Sequence, residues 1–238
     1  MDTPRSLLRV GLAAAVTSLI AGCSAASSSS GAASQPSAPV TASSAAAPSG
    51  SQLAGILLPA SSMPSGFKLD PSSTRDTGSG LPSDTAAPVP ASQACQDLTE
   101  TAYIRAGGIT TADFAQSNYL NADQTEEVAE EIDVFTGTDA QKVMTTLWQE
   151  FGKCASFSYK SSGTTVSNTL KRSQLSGEGD DAIKAVIVSP AFGGGETLVA
   201  IRVGSQIITT LDSSSGSDLG SSAVGYAEQM VQRLQAAK

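Results

Sequence analysis

The chain of 238 residues contains no histidine. That removes the Ser-His-Asp and Cys-His arrangements, whose general base works near neutral pH. It also removes most catalytic zinc sites and every histidine-ligated haem. Lysine and carboxylate groups are what is left for proton transfer. The composition therefore points away from an enzyme, and no cofactor or metal is expected. Positive charge is scarce as well: 14 Lys and Arg stand against 22 Asp and Glu, for a formal charge of −8 and a pI near 4.5. Asp2, Arg5 and Arg9 together give the leader +1, which leaves −9 on the rest. A field of that sign repels phosphates, so nucleic acid and anionic lipid are not held by charge alone.

The apolar run that is present, Val10 to Ile20, is too short for a bilayer-spanning helix, which needs about 20 residues. Behind Arg5 and Arg9 it fits the core of a signal peptide covering residues 1–22. It ends in Ile20-Ala21-Gly22-Cys23, which resembles the bacterial lipobox. That resemblance implies that Cys23 is diacylated and becomes the new N-terminus, leaving the chain lipid-anchored on the extracytoplasmic face of the cell membrane. A second acyl chain matters because one alone holds a membrane only marginally. Residues 23–50 are almost wholly Ser, Ala, Pro and Gly. Such a tract cannot bury enough surface to offset the entropy of ordering it. It reads as a disordered tether with a span of roughly 25–30 Å, leaving residues 51–238 for a single folded domain.

Within that domain, Leu53–Leu58 reads as a short helical piece closed by Pro59, and Phe67-Lys68-Leu69 as the start of a strand. A polar loop rich in Pro and Gly follows over Pro71–Ser92. Gln93–Arg105 reads as a helix with Ser92 as N-cap and Gly107-Gly108 as stop. Ala112–Asn121 and Glu126–Phe135 read as a hairpin whose second strand places Val128, Ile132 and Val134 on one face. Glu130 breaks that face and suggests a bulge or an edge. The clearest helix starts at Thr138 or Asp139, with Val143, Met144, Leu147, Trp148 and Phe151 in one stripe. Strands are expected at Thr164–Lys171, Asp181–Ser189, Glu196–Val203 and Gln206–Leu211, the last two joined by Gly204-Ser205. Gly193-Gly194-Gly195 lacks a following P-loop lysine and reads as a hairpin connection. Ser221–Ala236 closes the chain as an amphipathic helix. Helices interrupted by antiparallel hairpins, with no βαβ rhythm, indicate an α+β fold, an antiparallel β-sheet packed with two or three helices.

With Cys23 committed to lipid, Cys95 and Cys154 are expected to form one structural disulfide, as two cysteines in an exported domain most simply do. No Cys-x-x-Cys suggests a redox role. Asp123, Glu126, Glu127, Glu130, Glu131 and Asp133 crowd one hairpin without an EF-hand pattern, and strand alternation splits them between two faces. They read as a solvated acidic face, and Gly179-Asp180-Asp181 as a turn.

The order of these features resembles the PknH-like extracellular sensor domain of actinobacterial kinases and of lipoproteins that carry it alone. The features are the Leu-rich opening Leu53–Leu58, a helix bearing Cys95, Trp148-x5-Cys154, and the strand pair through Ile201-Arg202-Val203-Gly204-Ser205-Gln206-Ile207. The resemblance implies an antiparallel sheet packed with helices around a cleft that takes an extracytoplasmic ligand. Family members with two disulfides exceed what this chain can form. The expectation is a lipid-anchored, ligand-binding or sensor-like protein, its partners being the membrane and an envelope ligand or protein. The alternative is an accessory envelope protein without a small ligand. A deep apolar cleft between the Trp148 helix and the sheet would favour binding.

Overall fold

The computed structural model describes residues 47–75, 91–161, 163–190 and 193–237. Their frame is an eight-stranded antiparallel sheet: β1 (Lys68–Leu69), β2 (Asp113–Leu120), β3 (Glu127–Val134), β4 (Ser156–Ser161), β5 (Thr164–Gln174), β6 (Asp181–Ser189), β7 (Gly194–Val203) and β8 (Gln206–Ser214). The spatial order is β1-β2-β3-β8-β7-β6-β5-β4. After β3 the chain crosses the sheet through helix α3 (Asp139–Lys153) to the far edge, then returns strand by strand until β8 pairs with β3. With α1 (Gly50–Ala54), α2 (Ala91–Asp97) and α4 (Ala223–Ala236), this is the α+β domain the element order indicated.

Alternation along the strands sends side chains to two separate cores. On one face Ala129, Ile183, Ile187, Leu198, Ala200 and Ile207 pack under α3, α2 and the 3-10 turn Tyr103–Gly107. On the other, Val128, Ile132, Val199, Ile201 and Ile208 pack under α1 and α4. Helix α3 forms because Val143, Met144, Leu147 and Phe151 fall on one face. Asp139 in its first turn and Lys153 in its last suit the helix dipole. Trp148 is only partly buried, lying under the Arg172 guanidinium 4.0 Å from the ring centre. The Cys95–Cys154 disulfide ties α2 to the end of α3, with Cα atoms 5.4 Å apart.

Several expectations need correction. The helix expected over Gln93–Arg105 is α2 alone; it begins at Ala91, ahead of the proposed cap Ser92, and stops at Asp97. The chain then turns so that Leu98, Tyr103 and Ile104 can all reach the core. Strand β4 was unforeseen. The tether boundary shifts too: Gly50 is buried in α1, and its N–H donates to Asp113 Oδ2 at 2.7 Å. Glu130 marks neither a bulge nor an edge, since β3 pairs in unbroken register with β2 and β8. Most of the long loop from Pro71 lies outside the described residues, as does Cys23.

Glu130 sits inside because it holds down the segment that precedes β1. It accepts the Leu58 N–H at 3.0 Å on both oxygens and the Ser117 hydroxyl at 2.7 Å. Tyr119 Oη donates to the Leu58 carbonyl at 2.8 Å. Arg233 of α4 donates to the carbonyls of Gly55 and Ile56, each at 2.8 Å. Residues 50–58 are thus laced to the sheet and to the last helix.

Candidate functional site: a polar cleft at one end of the sheet

A cavity of about 460 Å³ opens on the disulfide face where β6 turns into β7. One cross-strand row builds its floor: Ser213 of β8 opposes Glu196 of β7, Glu196 opposes Ile187 of β6, and Glu127 of β3 continues the row past Ser213, outside the lining. Because side chains alternate, all four point the same way. Asn168 of β5 and Ser189 at the end of β6 extend the floor, while Tyr159 of β4 and Thr99 after α2 form the walls. Gly194, opposite Ser189, has no room for a side chain, since a Cβ there would overlap the Ser214 carbonyl. The triple glycine is therefore part of a hairpin, as expected, and its close strand approach shapes the cleft mouth.

Three polar atoms shielded from solvent in this cleft have no hydrogen-bond partner among the described residues: Asn168 Nδ2, Ser189 Oγ and Glu196 Oε1. Asn168 is 3 % exposed and Ser189 8 %. Buried polar groups are normally paired, and an orphan costs roughly 1–3 kcal/mol. Among the described residues, no lysine or arginine lines the cavity. Burial first, and then the charges of Glu127 and Glu100, push the Glu196 carboxyl up to about 8. Burial likewise raises Glu127, although Asn118 Nδ2 donates to it at 2.8 Å. Tyr159 is raised by burial and then by Glu196.

The acidic hairpin divides between environments, and most of it is not the solvated face the sequence suggested. Glu130, Glu131 and Asp133 are 1 %, 1 % and 0 % exposed. Both faces of β3 are roofed by helices, so alternation has no solvent side to send them to. Glu131 and Asp133 share the disulfide face and have no hydrogen-bond donor among the described residues. Burial raises both: Asp133, raised further by Glu131, lies well above its ordinary value, while Glu131 reaches about 7 because its interaction with Asp133 and the charges of Arg105 and Arg75 oppose burial. Asp180 serves the β7–β8 turn, binding Arg202 at 3.0 Å and the Gly204 N–H at 2.7 Å.

The sequence left the ligand-binding residues unassigned, and the residues lining this cleft include none of the Trp148 helix. Beside the Trp148 helix there is a pocket of about 210 Å³, bordered by Met144, Trp148, Gln174 and Ile183. Glu196, Asn168, Ser189 and Tyr159 were all missed. Their one sequence signal is parity, since Glu196 shares the inward phase of Leu198 and Ala200 along β7. No family model matches the chain, and comparison with curated proteins finds no match.

Proposed function

We propose that this protein is a lipid-anchored extracytoplasmic lipoprotein, acylated at Cys23, whose folded domain binds a small polar ligand in the cleft around Glu196. One observation carries the binding reading: a cavity of about 460 Å³ lined by three residues that each carry a shielded, unpartnered polar atom. That volume lies within the range of small-ligand sites, which combine apolar walls with a few placed polar groups. An accessory envelope protein would need no such cavity. An antiparallel sheet packed with helices beside a cleft is also what the PknH-like resemblance implies. The address is supported by the lipobox-like Ile20-Ala21-Gly22-Cys23 and its leader.

Two measurements test this. Mass spectrometry of the full chain purified under native conditions should find a co-purifying small molecule that Asn168→Leu with Glu196→Leu loses. A blank result together with no thermal shift against envelope extracts would refute binding. Cys23→Ser should move the chain from the membrane fraction to the aqueous one, and a variant that stays on the membrane would refute the anchor.

A further inference from the structure

The lining of the cleft sets the charge of what it can hold. Facing Glu196 are Glu127 from β3, Glu100 from the turn after α2 and the Tyr159 hydroxyl from β4, none of them a cation. Glu126, at the mouth, is engaged with the Ser215 hydroxyl at 2.7 Å and brings only more negative charge. Glu127 and Glu196 lie two strands apart in one row, roughly 9–10 Å between Cα atoms. Ser213, between them, is already bonded to the Glu127 N–H at 2.8 Å.

An anionic ligand would therefore meet carboxylates with no counter-charge. A neutral polyol would satisfy Asn168, Ser189 and a protonated Glu196, but would leave the negative charges of Glu127 and Glu100 unbalanced. An ammonium group would donate to Glu196 Oε1 and offset the charges of Glu127 and Glu100, with charge-assisted hydrogen bonds the strongest available. Asn168 Nδ2 is a donor and asks for an oxygen on the same molecule; the Ser189 hydroxyl can serve that oxygen as well. Resting on the cleft being a ligand site, we propose that it binds a small oxygen-bearing amine, its ammonium on Glu196 and a hydroxyl or carbonyl oxygen on Asn168 and Ser189.

Because burial and the nearby carboxylates push the Glu196 carboxyl up to about 8, an ammonium must displace its proton below that pH. Where the probe is itself an ammonium ion, binding should then release up to one proton, and affinity should rise by up to tenfold per pH unit from pH 6 towards 7.

The test uses the full chain in detergent and two matched probe pairs: glucosamine with glucose, and 1,3-diaminopropan-2-ol with glycerol. Isothermal titration in two buffers of different ionisation enthalpy reads affinity and proton release. The amines should bind at least tenfold more tightly than their neutral counterparts. Glu196→Gln should lower amine affinity at least tenfold, while Glu228→Gln on α4, across the sheet, should leave it unchanged. Should Glu196→Gln fail to fold, proton release by the unaltered chain decides the matter. Neutral probes binding as well as the amines, with no proton release, would overturn the cationic ligand and leave the small-ligand reading standing. Failure of both probe classes would also overturn it; the wider reading falls only if the co-purification experiment is blank too.

Discussion

Glu130 makes this domain's stability depend on pH in an unusual direction. Its carboxyl has an ordinary value of 4.5 and is pushed to about 7 by burial, which outweighs the Ser117 hydroxyl, the Leu58 N–H and Arg233. A folded-state value above the unfolded one means the folded chain binds the extra proton between those limits. The stabilisation is complete below pH 4.5 and is lost as pH rises through 7. At about 1.4 kcal/mol per pH unit, the shift of Glu130 alone is worth about 3 kcal/mol. Glu196, raised to about 8, and Asp212, raised to about 6, act in the same direction. Asp70, Asp139 and Asp218 are lowered by hydrogen bonds and act oppositely, below about pH 4. Stability should therefore peak near pH 5 and fall by several kcal/mol by pH 8. Urea titrations at pH 5, 6, 7 and 8, followed by the fluorescence of the single Trp148, read this directly. Glu130→Gln keeps the carbonyl that accepts the Leu58 N–H and carries no charge. It should cost about 1 kcal/mol at pH 5 through imperfect pairing, and stabilise by about 2 kcal/mol at pH 8, relative to the unaltered chain. A flat or rising stability from pH 5 to 8, or parallel curves for the two proteins, would refute the assignment.

Two further perturbations address other parts of the frame. Replacing Cys95 and Cys154 by serine removes a cross-link spanning 59 residues and should lower urea stability by roughly 4 kcal/mol on the chain-entropy account; a loss below about 1 kcal/mol would contradict it. Arg233→Ala leaves the Gly55 and Ile56 carbonyls without their donor and should cost about 1–3 kcal/mol. Its signature is faster amide exchange confined to residues 50–58, and uniform acceleration across the sheet would argue against a local strap.

What could be read from the chain followed from how local each signal was. Helix α3, the β2–β3 hairpin and the Gly204-Ser205 turn are each specified within one short contiguous stretch, and the disulfide followed from counting cysteines. Strand β4 escaped although Phe157 and Tyr159 alternate with Ser158 and Lys160, because it follows α3 directly and lies at a sheet edge. The acidic residues of β3 were assigned to solvent on a correct alternation and a wrong premise. Alternation separates Glu131 from Ile132, but only the fold decides whether the second face is wet. Here α3 and the turn after α2 cover it. The cleft had no local signature at all, since Asn168, Ser189 and Glu196 come from three strands.

Three kinds of buried carboxyl remain to be told apart, and burial alone does not do it. Glu130 is surrounded by donors placed for it, so truncating it orphans Leu58 N–H and Ser117 Oγ and weakens the fold. Glu131 and Asp133 have no donors among the described residues and border neither described cavity, yet they sit together on one face. Such a pair holds at least one proton in common, since two adjacent buried charges repel too strongly to coexist. Glu196 differs from both. Like Glu131 it has an unpartnered oxygen, but its residue lines a cavity together with two others that carry unpartnered polar atoms, one of them an amide donor that a carboxylate proton cannot satisfy. A proton would neutralise Glu196 and still leave Asn168 Nδ2 bare. Only a second molecule in the cleft removes both deficits at once, which is why the site is assigned to Glu196 and not to the more deeply buried pair.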